Sequence, residues 1–210
     1  MSRLGELHAK VDAFFARVRA RHGDDMQCHT GCSDCCHVRL TVTSVEAAAI
    51  AAEIASWPAD RRRALGSGAA AGPADRCAAL DEAGRCRIYA ARPIVCRSHG
   101  VPIRMRRGSL PVIDGVGAGA GAGVEAIEAC HRNFTRTEPA ADCVLDQTTL
   151  SALTLAIDRE AGGDGSRTDL AALLAELARA DDPAEPAEPA EPAGPAALAA
   201  PVRGSDVGPA

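Results

Sequence analysis

Cysteine carries the reactive chemistry of this chain. Nine of the 210 residues are cysteines, at positions 28, 32, 35, 36, 77, 86, 96, 130 and 143. Four fall within one run of nine, Cys28-His29-Thr30-Gly31-Cys32-Ser33-Asp34-Cys35-Cys36. Thiolates separated by two or three residues can turn back onto one metal ion, and Gly31 permits the tight or left-handed backbone that such a knuckle needs. In an extended chain the adjacent Cys35 and Cys36 would point to opposite sides. They then serve different centres, enter a multinuclear cluster, or bend sharply to share one metal.

A second group, Cys77, Cys86 and Cys96, is interleaved with Arg76, Arg85, Arg87, Arg92 and Arg97. Guanidinium groups beside thiols would lower their pKa and offset the charge of a thiolate-ligated metal, although arginine is simply common here: 22 of the 23 basic residues are Arg. Cys130 and Cys143 could complete a set by folding back. His29, His37, His99 and His131 each lie within three residues of a cysteine and could replace a thiolate or donate to one. A cysteine nucleophile with His99 or His131 as base is the rival use, but one nucleophile does not require nine thiols.

Composition supports a structural role for these thiols. Val, Leu, Ile and Phe make up under a fifth of the chain, and there are five aromatic residues, so large side chains to fill a core are scarce. The net charge of −5 belongs to residues 181–210, which hold six acids and one base; residues 1–180 are neutral. A neutral body gives no electrostatic support to general nucleic-acid or anionic-membrane binding, and Arg61-Arg62-Arg63 with Arg104, Arg106 and Arg107 are the local exceptions. Residues 1–21 space their apolar side chains at helical intervals rather than in the uninterrupted run of a secretory signal, and no segment is apolar enough to span a membrane. A cytoplasmic location with reduced thiols is expected, which favours metal binding over a disulfide framework.

The elements that must position the thiols follow from periodicity. Leu4, Leu7, Val11, Phe14 or Phe15, and Val18 predict an amphipathic helix over 2–22. Val38 to Val42 is β-prone, and Thr43 with Glu46 makes a capping box for a helix carrying Val45, Ile50, Ile54 and Trp57. Another helical stretch begins at Pro58 and should end in Gly66-Ser67-Gly68. Asp81-Glu82-Ala83-Gly84 reads as a turn between two extended pieces, and Arg92-Pro93 as the opening of one helical turn. Residues 101–106 and 110–113 could pair as a hairpin across Arg107-Gly108. Further helices are expected at 124–133, 147–161 and 169–180.

The expected fold is therefore mainly α with small β-hairpin elements, an irregular metal-organised cysteine-rich core flanked by amphipathic helices. Its parts are an N-terminal helix (1–24), a cysteine-cluster domain (25–146) with a mobile Gly/Ala loop at 117–123, C-terminal helices (147–181), and a disordered Pro/Ala/Glu tail (182–210).

The cysteine pattern resembles the YkgJ-like CxxCxxCC proteins, described as zinc- or iron-chelating domains. The resemblance rests on Cys28 to Cys36 and on Gly84-Arg85-Cys86-Arg87-Ile88-Tyr89-Ala90-Ala91-Arg92-Pro93-Ile94-Val95-Cys96-Arg97, with Cys77 and Cys130 where the family places cysteines. It departs where three residues rather than two separate Cys28 and Cys32, and Cys143 has no counterpart. The resemblance implies metal ligation by Cys28, Cys32, Cys35, Cys36, Cys77, Cys86, Cys96 and Cys130, with zinc and iron, including an iron-sulfur cluster, both open. Three functions stay open with it: a metal-binding protein, an iron-sulfur oxidoreductase or protein-modification enzyme, and a zinc-stabilised module that meets a protein partner.

Overall fold

The computed structural model describes residues 2–29, 31–71, 75–106 and 125–179. Their order is α1 (Arg3–Arg21), β1 (Thr41–Thr43), α2 (Ser44–Ala55), α3 (Ala59–Ala71), α4 (Ile94–Ser98), β2 (Ile103–Arg106), β3 (Glu125–Glu128), β4 (Leu145–Asp146), α5 (Gln147–Glu160), β5 (Arg167–Asp169) and α6 (Leu170–Arg179). The architecture among these residues is mainly helical with small strands. β1 pairs antiparallel with β5, and β2 lies between antiparallel β3 and parallel β4.

Local chemistry explains where the helices begin. The Ser2 hydroxyl accepts from the Gly5 N–H at the start of α1 (3.1 Å), and the Asp146 carboxylate accepts from Thr149 N–H at the start of α5 (2.7 Å). Glu46 reaches back to the N–H and hydroxyl of Thr43 (3.0 Å each), as the capping signature predicts. Asp158 is fully buried in α5, yet it also caps α2: its carboxylate accepts from Val45 N–H (2.8 Å) and Gly165 N–H (3.2 Å).

Apolar packing divides into three clusters. Val42, Ile50, Ile54, Trp57, Leu65, Leu80, Ile88, Leu170 and Leu174 join α2, α3 and α6 to the Cys77–Ile88 loop. Leu4, Leu7, Val11, Ile94, Leu150 and Ile157 join α1, α4 and α5. Val18, Met26, Val101 and Cys143 form the third. Among the candidate thiols, Cys77 is buried within the first cluster, and Cys36 and Cys86 pack against it.

Three expectations are corrected. The partner of Ile103–Arg106 is Glu125–Glu128, in the register Arg104↔Ile127, and residues 110–113 lie outside the described residues. The helix expected over 124–133 is instead this strand followed by a turn, because pairing with β2 overrides the helix preference of Ala and Glu. Helix α3 does not stop at Gly66-Ser67-Gly68 but runs to Ala71 while packed along α6, which offsets the roughly 1 kcal/mol that each helical glycine costs. The Gly/Ala segment 117–123 and the tail 182–210 also lie outside the described residues.

Candidate metal centre

The first cysteine run is a series of tight turns. Cys32 N–H donates to His29 O (3.0 Å) across Gly31, whose φ of 90° is the left-handed conformation anticipated for it. Asp34–Cys36 is a single 3-10 turn closed by Cys36 N–H to Ser33 O (2.8 Å). This bend leaves the Cys35 and Cys36 sulfurs 4.0 Å apart, not on opposite sides as in a strand.

The second group is fastened directly to the first, since Cys77 N–H donates to Cys36 O (2.7 Å). Leu80 and Cys86 form an antiparallel bridge around the Asp81–Gly84 turn, with Asp81 N–H on Arg85 O (2.9 Å) and Arg87 N–H on Ala79 O (2.8 Å). Cys96 lies on α4, whose leading N–H, that of Ile94, donates to Glu46 (2.9 Å). The carboxylate that caps α2 thereby also fixes the helix bearing Cys96. Nothing in the local spacing revealed this second use.

Asn133 is the residue that sequence reasoning missed. Its side-chain carbonyl accepts from Gln27 N–H (2.8 Å), and its amide donates to Gly100 O (2.6 Å) and Cys28 Sγ (3.3 Å). Its own N–H donates to Cys130 O (2.8 Å), so this one buried side chain and its turn bring Cys130 beside Cys28. Gly100, with φ of 101°, completes the bracket: a Cβ there would come within 2.7 Å of Cys28 Sγ. An Asn three residues after a cysteine was the one available signal, too common to single out.

Two adjoining cavities collect all eight candidate thiols. The larger, about 600 Å³, is lined by Cys32, Cys35, Cys36, Cys77, Cys86 and Cys96. The smaller, about 380 Å³, is lined by Cys28, Cys32, Cys35, Cys96 and Cys130. Cys143 is not among them; it is fully buried in the third apolar cluster. Among the described residues, no three His, Cys, Asp or Glu side chains are already gathered into a metal cage. The thiols line walls rather than converge on a point.

Burial opposes ionisation of these sulfurs. It pushes Cys96 up to about 12 and Cys86 to about 11, and it raises Cys28 and Cys77 as well. The thiol contact splits the adjacent pair: Cys35, in hydrogen bond to Cys36, is raised, and Cys36 is lowered by accepting it. A metal entering here must displace thiol protons, so its capture would be accompanied by proton release.

The interleaved arginines serve mostly as framework. Arg85 pairs with Asp81 (3.1 Å), Arg76 donates to Asp81 O, Arg87 donates to Ala64 O, and Arg92 and Arg97 both grip Asp12 of α1 (3.0 and 2.6 Å). Arg92 also lines both cavities and lowers the pKa of Cys86 against the larger effect of burial. His29 and His99 line both cavities, and burial lowers the pKa of His99. His131 instead faces Asp34 (3.3 Å) at the surface. Arg61 stacks on the Trp57 ring (3.6 Å) and Arg62 donates to the carbonyls of Ala55 and Trp57, so two arginines of the triple run fasten α3 to the end of α2 and the connection that follows it.

The donor set is soft and sulfur-dominated, which suits zinc and iron-sulfur sites. Residues 27–107 match the family model "CxxCxxCC: Putative zinc- or iron-chelating domain". This segment is similar to the CxxCxxCC family. The match spans seven of the eight candidate thiols, Cys28 through Cys96, and the fold adds Cys130 from outside it. Neither a curated protein nor a solved structure matches the chain. No helix among the described residues is long and apolar enough to cross a membrane.

Proposed function

We propose that the CxxCxxCC-like segment and the Cys130 turn form one metal-binding unit that takes zinc or iron through the thiolates of Cys28, Cys32, Cys35, Cys36, Cys77, Cys86, Cys96 and Cys130. The observation that carries this reading is the segregation of the thiols. The eight border two adjoining cavities, whereas Cys143 is sequestered among Val18, Met26 and Val101. Cys77 packs in the first apolar cluster with Cys36 and Cys86 against it, yet all eight thiols also border a cavity, which packing alone does not require.

The chain's own residues supply a soft donor set, the orientation of that set through Glu46, Asn133 and Asp12, and partial shielding from water by Ile88, Pro93 and Leu170. Bound metal would also cross-link the seams between the three small apolar clusters and so add folding free energy. Sulfur ligation of this kind serves zinc as a structural or stored ion and iron in an iron-sulfur cluster, and a reducing compartment such as the cytoplasm would keep the free thiols available for it.

The test is purification under anaerobic conditions, followed by measurement of metal, sulfide and the visible spectrum together. Stoichiometric zinc in a colourless protein supports a structural or metal-handling role, and iron with equivalent sulfide and broad visible absorption supports a cluster. Less than a tenth of an equivalent of either metal, both as purified and after anaerobic reconstitution, would overturn the proposal.

A further inference from the structure

We infer that the larger cavity takes a small organic acid beside the thiols, a monocarboxylate with an apolar alkyl body whose carboxylate pairs with Arg85. The inference goes beyond the metal-binding reading and does not depend on it, because the groups that carry it are not the thiols.

Size, wall and charge point to the same class of ligand. A zinc ion sits about 2.3 Å from its sulfurs, inside the shell they form, and covers none of the surrounding wall. The cavity, about 600 Å³, falls in the range of about 300–1,000 Å³ that small-molecule sites occupy. Beside the thiols its wall is made by Val38, Leu40, Leu80, Ile88, Val95 and Leu170. Ile88 and Leu170 are buried, but the lining runs out to solvent: of the four large apolar side chains exposed among the described residues, Val38 (44%) and Tyr89 (63%) both border this cavity. Covering that surface with an alkyl chain is favourable and leaves the chain a way in.

The charge on the lining selects the head group. No Asp or Glu borders the cavity, whereas Arg85 and Arg92 do. Arg92 is committed to the Asp12 carboxylate and to Tyr89 O. Arg85 is not. Its Nε donates to Asp81 (3.1 Å), and among the described residues its two Nη groups make no hydrogen bond. Asp81 also accepts from Arg85 N–H (2.7 Å), so both ends of the side chain are steadied by a carboxylate that does not itself border the cavity. A guanidinium held at Nε still presents Nη donors in the planar arrangement that matches a carboxylate. The approach is open there as well: Gly31 and Gly84 border the cavity at this end, and a Cβ on Gly31 would meet nothing within 4 Å. A neutral apolar ligand would leave the Arg85 donors unused, and a cationic one would face two arginines.

The test is isothermal titration calorimetry of the reduced full-length chain with sodium decanoate, once metal-free and once loaded with zinc. Acetate supplies the charge without the body, and decyltrimethylammonium the body with the opposite charge. Decanoate should bind at one equivalent and neither comparison probe should bind. Shortening the chain through octanoate and hexanoate should weaken binding by up to about fourfold for each methylene removed. Arg85→Gln should weaken decanoate about two- to fivefold, a modest loss because the side chain is 66% exposed. Val38→Glu, at an exposed position, should weaken it at least about tenfold by setting a like charge in the apolar rim. No uptake of decanoate at millimolar concentration, equal uptake of decyltrimethylammonium, or binding unchanged by both substitutions would overturn the proposal. Binding that requires zinc and ignores Arg85→Gln would overturn it too, by placing the carboxylate on the metal. Nuclear Overhauser contacts in wild type require no variant to fold: they should join the decanoate chain to the methyl groups of Val38, Leu40 and Leu170, and contacts confined to other methyl groups refute the site.

Discussion

Replacing Asn133 with Leu probes the bracket at Cys28 with almost no change in shape. The wild-type amide serves Gly100 O, Gln27 N–H and Cys28 Sγ at once, and the leucine serves none of them. The Gly100 carbonyl is buried, so its lost partner costs about 1–3 kcal/mol. Gln27 is exposed, water can reach its N–H, and its share is smaller, about 0.5 kcal/mol; the long contact to sulfur adds little. The sum is about 1.5–3.5 kcal/mol, or roughly a 10- to 400-fold drop in the folding equilibrium. Denaturant unfolding of the reduced, metal-free protein should show a lower midpoint at an unchanged slope. The Asp variant separates donor from acceptor. It can still accept from Gln27 N–H, but at neutral pH it sets a carboxylate against the Gly100 carbonyl, so Asn133→Asp should be at least as unstable as the Leu protein. It should regain stability relative to wild type on acidification, when the protonated acid can donate. A Leu variant within about 0.5 kcal/mol of wild type would show that these hydrogen bonds do not hold Cys28 in place.

Three further outcomes follow from other brackets. Gly163→Ala places a Cβ against the buried Asp158 carboxylate that caps α2, and it should cost at least about 2 kcal/mol by thermal unfolding; an unchanged melting temperature refutes that close approach. Asp12→Ala leaves Arg97, 7% exposed, without its carboxylate, and because Asp12 itself is 41% exposed the expected loss is about 2 kcal/mol rather than the full cost of a buried pair; equal stability of the two proteins would show that solvent replaces the partner. His8 of α1 is lowered to about 4, first by burial and then by Arg97, and its Nε2 is buried without a hydrogen-bond partner. Its ordinary value is near 6.5, so between about 6.5 and 4 the unfolded chain takes a proton that the folded one refuses. Stability should therefore fall with pH through that window, by about 2 kcal/mol once partial exposure is allowed for. His8→Gln should flatten the slope, and superimposable acid profiles of the metal-free proteins would refute the assignment.

What the sequence disclosed and what it hid differ in kind. Helical stripes such as Leu4-Leu7-Val11 or Leu170-Leu174 are local periodicities, and the helices stand close to where they were expected. The Asp81–Gly84 turn and the short helix after Pro93 are equally local. Strand β3 was misread because Glu125-Ala126-Ile127-Glu128 favours a helix until β2 offers it a ladder, and that partner is 19 to 25 residues away. The candidate thiols were legible by type and spacing. Their arrangement around two adjoining cavities was not, since the 3-10 bend at Asp34–Cys36 brings the Cys35 and Cys36 sulfurs together, and a tertiary bond from Cys77 fastens the second group to the first.

The same distinction bears on how so thin a core fixes a cavity. Aliphatic clusters are non-directional and tolerate small slips, so three of them meeting along seams would not define where eight sulfurs stand. The seams are instead pinned by polar side chains that each serve more than one element: Glu46 ties α2 to α4, Asp158 ties α5 to α2, Asp12 ties α1 to the Arg92–Arg97 segment, and Asn133 ties the Cys130 turn to Cys28 and Gly100. A buried polar group that loses its partner costs more than a slipped aliphatic contact, so each pin penalises displacement in a defined direction. Two of them, Glu46 and Asn133, act within a few residues of Cys96, Cys28 and Cys130. On this argument the pins should matter most to a chain without metal, which needs its thiols held apart yet aligned, and least once thiolate–metal bonds span the seams themselves. Asn133→Leu should accordingly lose less stability when metal-saturated than when metal-free, provided the metal affinity of the two folded proteins is similar. An equal or greater loss in the loaded protein would show instead that Asn133 acts on the bound state.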